Sequence, residues 1–126
     1  MSVVDVDRSG QNCYFYISSY MEILDTMEIT LATIGFSAMG SEPRLSVLQC
    51  LVKAGKQGLS VGEIQERTKI PGSTLAHHLK ALEGASLILQ KKQGRTIFNH
   101  ANYAHLESLA NYILDECCID EGNGHD

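Results

Sequence analysis

Apolar residues recur along this chain with helical spacing, broken at intervals by polar and glycine-containing stretches. A first helical pattern begins in residues 14–20. It becomes clearer at Ile23, Leu24, Met27, Leu31 and Ile34, and Gly35 and Gly40 break or end it. The next helix opens at Ser41, whose side-chain oxygen can accept from an unpaired first-turn N–H, with Glu42 and Pro43 in that turn. Leu45, Leu48, Leu51 and Val52 then share one face, and Ala54-Gly55 ends the helix. Ser60 and Glu63 stand at capping-box spacing, so a short helix carrying Val61 and Ile64 inward is expected to about Thr68. Pro71 disfavours helix at Ile70, which makes Ile70-Pro71-Gly72 a turn. A third helix starts at Gly72 or Ser73, with Leu75, Leu79 and Leu82 at i, i+4 and i+7.

After Gly84 the period changes. Residues 87–92 and 96–100 read as two strands joined by a compact turn at Gln93-Gly94. Asn102 can cap a last helix running to about Cys118, with Leu106, Leu109, Ala110, Ile113 and Leu114 as its stripe. This order of elements predicts a mainly α fold, a winged helix-turn-helix in which helices are followed by one β-hairpin wing. The expected domain spans residues 13–118, between a flexible segment at 1–12 and a flexible acidic tail at 119–126.

Length and composition are consistent with this. A chain of 126 residues with 44% apolar content makes one domain with a real core. No apolar run is long enough to span a membrane. The acidic N-terminus lacks the layout of a signal peptide, so the cytoplasm is the expected compartment.

The net charge of −5 argues at first against nucleic acid. Its distribution reverses that impression. Residues 1–43 carry one basic and six acidic side chains; residues 44–100 carry nine basic and three acidic; residues 101–126 carry six acidic and none basic. A basic middle between acidic ends suggests a DNA face set apart from a dimer or sensor region, although a solvated charge pattern would look the same.

The third helix has the chemistry of a reading helix. Its leucines seat it, which leaves Ser73, Thr74, His77, His78 and Lys80 as candidates to touch bases and phosphates of double-stranded operator DNA. Small residues at its start permit close approach, and its N-terminal N–H groups can hold a phosphate. Ser73 and Thr74 can equally be caps, and one histidine can simply pack. The hairpin adds Lys91, Lys92 and Arg95, cations able to reach a neighbouring minor groove or the backbone.

Four segments, EPRLSVLQCLVKAG, STLAHHLKALEGASLI, KKQGRTIF and the terminal DECC, resemble the ArsR/SmtB family of metalloregulatory repressors, over about three-fifths of the chain. The resemblance implies a homodimer built on the first and last helices, bound to an operator without inducer and released by it. It requires no cofactor. The chain departs from the family's two best-defined sites. The helix before the reading helix, SVGEIQERT, has no Cys-Val-Cys motif, and the last helix has His105 and Asp115 but no paired histidines.

What remains is the vicinal pair Cys117-Cys118. Family members with such a pair resemble sensors of trivalent arsenicals or antimonials, and soft thiolates select such acceptors. Arsenite favours three sulfurs, whereas a singly methylated arsenical can be held by two. Cys117 falls on the apolar stripe and Cys118 about 100° round the helix, close to a terminus that could unwind to bring both sulfurs together. Cys13 is a candidate third ligand or a bystander. Cys50 lies in a run of core residues and reads as a packed hydrophobe.

Two other readings stay open: release of DNA by thiol oxidation or persulfidation, and a winged-helix module that binds protein. The chain carries no phosphate-binding glycine loop and no acid–base carboxylate pair, so an enzyme is not expected.

Overall fold

The computed structural model describes residues 27–124. Five α-helices and three short strands follow one another as α1 (Ile29–Ala38), α2 (Glu42–Ala54), β1 (Leu59–Ser60), α3 (Val61–Thr68), α4 (Gly72–Gly84), β2 (Ile88–Gln93), β3 (Thr96–Ala101) and α5 (Tyr103–Leu114). Helix, helix-turn-helix, hairpin and helix is the winged helix-turn-helix layout that the hydrophobic periods predict.

Local chemistry sets most of the boundaries. Ser41 Oγ accepts from the Arg44 N–H at 3.3 Å, and Pro43 lies in the first turn of α2. Before α3, the Ser60 N–H donates to Glu63 Oε1 at 2.9 Å and the Glu63 N–H donates to Ser60 Oγ at 3.2 Å, a complete capping box. Lys69 ends α3 in the left-handed region, and Pro71 precedes α4 in an extended conformation. Asn102 Oδ1 accepts from the His105 N–H at 3.4 Å and caps α5. Arg44 closes the other end of α1, since its guanidinium donates to the carbonyls of Ala38 and Ser37.

The core gathers Val47, Leu48 and Leu51 from α2, Ile64 from α3, Leu75, Leu79 and Leu82 from α4, Leu87 and Ile88 around the wing, and Leu109 from α5. Cys50 packs at its edge, half-buried, as a small hydrophobe would. Tyr103 ties α5 to the end of α2 by donating its hydroxyl to the Val52 carbonyl at 2.9 Å.

Several expectations need correction. Gly35 does not break the first helix. It sits buried within α1, where a Cβ would come within 2.8 Å of Leu109 Cδ1, so the glycine serves close packing of α1 on α5. Leu45, Val52 and Val61 are exposed; α2 turns Val47 inward in their place, and the two-turn α3 can present only Ile64 to the core. The wing gains a third strand. β1 pairs antiparallel with β3, giving the order β1-β3-β2. The hairpin turn lies one residue later than expected, at Gly94-Arg95, because Gln93 still pairs with Thr96 and Gly94 takes φ 63°.

The last helix ends at Leu114 and not near Cys118. Beyond it the chain turns, and within the expected free tail Ile119–Gly124 forms a 3-10 helix. Ile113 and Leu114 are 63% and 66% exposed, so the lower part of the α5 stripe covers nothing among the described residues. Cys13 and the helical pattern at residues 14–20 lie outside the described residues. Among the described residues, no helix is long and apolar enough to cross a membrane.

Candidate nucleic-acid interface and vicinal thiol pair

Helix α4 is seated by Leu75, Leu79 and Leu82, which are 0 to 4% exposed. Burying three leucines is worth several kcal/mol on transfer grounds, at about 1.5–3 kcal/mol each, so the helix is held from one side only. The other side sorts the candidates by row. Ser73, His77 and Lys80 follow one another at i, i+4 and i+7, and all three are exposed. Thr74 and His78 form the neighbouring row, where Thr74 is exposed and His78 half-buried. Pro71 at the N-cap supplies no side-chain acceptor, so neither Ser73 nor Thr74 caps the helix and their hydroxyls stand free of that task.

The wing carries Lys91, Lys92 and Arg95, each exposed. Between it and the reading helix runs an open groove of about 220 Å³, lined by Val61, Ala76, Leu79, Lys80, Glu83 and Gln90. Sequence reasoning missed Glu83 and Gln90. Glu83 follows Lys80 at i+3 on the same helix, whereas only the tertiary approach of β2 to α4 brings Gln90 beside them.

His100 lies on the wing next to Gly58, whose φ of 69° and lack of a side chain leave room for the imidazole; a Cβ there would come within 2.6 Å of the ring. Burial pushes the His100 pKa down, the Lys91 charge pushes it further the same way, and a hydrogen bond with the Lys56 backbone opposes both. Burial also lowers the pKa of His105 at the start of α5.

Cys117 and Cys118 are exposed, and their sulfurs lie 3.4 Å apart. Adjacent residues inside a helix would diverge; here the Cys118 backbone takes φ 64°, outside the helical region, and the sulfurs converge. Hydrogen bonds with Cys117 and then Glu121 hold the Cys118 thiol above its ordinary range. Among the described residues, no three His, Cys, Asp or Glu side chains cluster as a metal site. The two sulfurs stand side by side, and the third candidate, Cys13, lies outside the described residues.

A family described as a helix-turn-helix domain matches residues 39–90, which contain α2 through the start of the wing. An uncharacterized HTH-type transcriptional regulator of Bacillus subtilis, YceK, is 38% identical over 61 residues, covering 48% of this chain and 60% of that protein. The chain thus spans under two-thirds of that relative's length. A solved ArsR-like transcriptional regulator from Rhodococcus sp. RHA1 superposes with a TM-score of 0.63 at 26% identity, over 73% of this chain and 83% of its own. The homodimeric winged helix-turn-helix DNA-binding domain Mb0332 of Mycobacterium bovis, a possible ArsR-family regulator, shares the fold. It aligns at 22% identity with a TM-score of 0.53, over 83% of this chain and 92% of that one.

The helix-turn-helix and its three-stranded wing give this protein the fold of winged helix-turn-helix transcriptional regulators. Within that class it is similar to the ArsR-like regulator of Rhodococcus sp. RHA1.

Proposed function

We propose that this protein is a homodimeric, DNA-binding transcriptional repressor whose operator is released by a thiophilic inducer. The observation that carries the DNA reading is the exposed row Ser73, His77 and Lys80 on a helix held only from behind. A helix so mounted can enter a major groove without losing packing, and the wing cations Lys91, Lys92 and Arg95 lie where a flanking backbone or minor groove would pass. Thr74 and His78 flank the row and would meet phosphates at its edge.

The dimer reading is supported by apolar faces exposed among the described residues. α1 packs against α5, and both expose apolar side chains: Ile29, Leu31 and Ile34 on one, Ile113 and Leu114 on the other. A second copy burying these faces would place the two reading helices at a fixed spacing, as half-sites on DNA require. The Mb0332 domain, which shares the fold and is homodimeric, supports a homodimer here.

The inducer reading rests on the sulfur pair. Two exposed thiols 3.4 Å apart suit a soft acceptor that accepts two sulfurs, and a trivalent arsenical or antimonial fits that description. Methylarsenite needs only Cys117 and Cys118; arsenite would draw on Cys13 of either protomer as a third sulfur. Chelation directly after α5 would shift that helix in the dimer interface and alter the spacing of the reading helices.

The test is operator binding by native protein, Cys117→Ser and Cys118→Ser against arsenite, methylarsenite, antimonite, zinc and peroxide. Release of native protein alone by the trivalent compounds is expected. Full release of both variants overturns the inducer assignment. The same short sulfur–sulfur distance favours one second reading, closure of a vicinal disulfide; release by peroxide with arsenicals inert would select it.

A further inference from the structure

Asn99 is a polar side chain with no solvent exposure, in the middle strand of a three-stranded sheet. It pairs with Leu59 of β1 on one side and Gln90 of β2 on the other, so three residues stand in one line across the sheet. Its Nδ2 donates to the Leu59 carbonyl at 3.3 Å. A carbonyl only accepts, which fixes which end of the Asn99 amide faces β1. Asn99 Oδ1 must then face β2, where it accepts from Gln90 Nε2 at 2.8 Å. The orientation of Gln90 is thereby settled too. Its nitrogen is turned into the sheet, and its side chain walls the groove opposite Ala76, Lys80 and Glu83 of the reading helix.

The position of this line matters. β1 pairs only with Asn99 and Phe98, so one residue beyond Asn99 the third strand ends. Past Phe98 the wing continues as two strands through Lys92↔Ile97 and Gln93↔Thr96 to the Gly94-Arg95 turn. At about 3.3 Å per residue the tip lies roughly 13 Å past the Asn99 line. β2 approaches α4 directly and is laddered to β3 along its length. The hydrogen bonds through Asn99 add a directional constraint that packing alone lacks.

We propose that Asn99 is a positioning residue that sets the wing against the reading helix, acting through Gln90. Its consequence for operator affinity rests on the DNA-binding reading above. An apolar residue could fill the same space; a buried polar group specifies orientation in addition.

The experiment uses Gln90→Leu, an exposed position that keeps shape and loses the donor, and the double variant Gln90→Leu/Asn99→Leu. In the DNA-free full chain, backbone NMR order parameters for residues 91–97 are expected to fall in both variants while those of α2 and α4 hold. On operator duplex, Arg95→Ala is expected to weaken native protein about tenfold and Gln90→Leu less than twofold, because a wing that is no longer aimed has little left to lose. The double variant no longer buries the half-paired Asn99 amide and leaves only the Leu59 carbonyl without its side-chain donor, so it should regain part of the thermal stability without regaining wing order. Unchanged order parameters, or recovery of wing order together with stability in the double variant, overturns the proposal. Absence of any duplex binding by native protein at low salt would instead overturn the DNA reading, and the order parameters would still decide the role of Asn99.

Discussion

Gly35 of α1 lies directly against Leu109 of α5, so close that a Cβ on the glycine would come within 2.8 Å of Leu109 Cδ1. Leu109 is 1% exposed and has no solvent into which to retreat. This contact joins the two helices proposed to form the dimer.

Replacing Gly35 by Ala therefore overpacks the crossing, at about 1–3 kcal/mol. Alanine returns about 0.5–1 kcal/mol as a better helix former. We expect a net loss of about 1 kcal/mol in urea unfolding at fixed protein concentration. In a Leu109→Ala background the same substitution should be neutral or stabilising. An equal loss in both backgrounds would show that the crossing is not the cause.

The two rows of α4 should separate in DNA binding. Alanine at Ser73, His77 or Lys80 is expected to cost about 1–3 kcal/mol of operator affinity, and alanine at Thr74 or His78 less. Lys80→Ala should also lower the slope of log K against log salt by about 1 if Lys80 meets a phosphate. Fluorescence anisotropy across a salt series reads both quantities. Equal losses from the two rows would mean the helix enters the groove at a different roll.

Acid should weaken the fold through its imidazoles. His100 and His105 have pKa values lowered by burial, with the Lys91 charge adding to the effect at His100. Between the lowered folded value and the ordinary value near 6.5, the unfolded chain binds more protons. Their contribution is thus complete above about pH 6.5 and is lost as pH falls through that value towards the folded pKa. Urea midpoints at pH 7.5 and 5.5 should differ in that sense, and His105→Gln should narrow the gap. A midpoint that rises on acidification would refute the assignment.

The thiol pair should be slow to ionise at one member. Cys118 is held above its ordinary range by hydrogen bonds with Cys117 and then Glu121. Since the thiolate is the nucleophile and soft ligand, Cys117→Ala is expected to speed alkylation of Cys118 at neutral pH most, and Glu121→Gln to speed it less. Site-resolved mass spectrometry of iodoacetamide labelling checks the order.

Much of this fold was legible because its boundaries are local. Ser41 with Pro43, and Ser60 with Glu63, announce helix starts within four residues, and Leu75, Leu79 and Leu82 mark the seated face of α4 by spacing alone. What escaped depends on partners far along the chain. β1 is two residues long and exists only because β3 runs beside it, so no period reveals it. Gly35 reads as a breaker until Leu109 is placed over it. The end of α5 carries no glycine or proline, and Asp115-Glu116-Cys117-Cys118 continues the pattern past the last helical turn. For the interface, the sequence names the residue types; the rows, the half-burial of His78 and the Asn99–Gln90 link need coordinates.

Ser73, His77 and Lys80 share one further property: none of them helps to hold α4 in place, which Leu75, Leu79 and Leu82 do from the opposite side. Folding and target choice are therefore written in different letters of the same helix. Substitutions in the outward row can change the operator a descendant recognises without endangering the domain, while the leucines stay constrained by packing alone. A lineage built on this scaffold is free to diverge in what it controls much faster than in what it looks like.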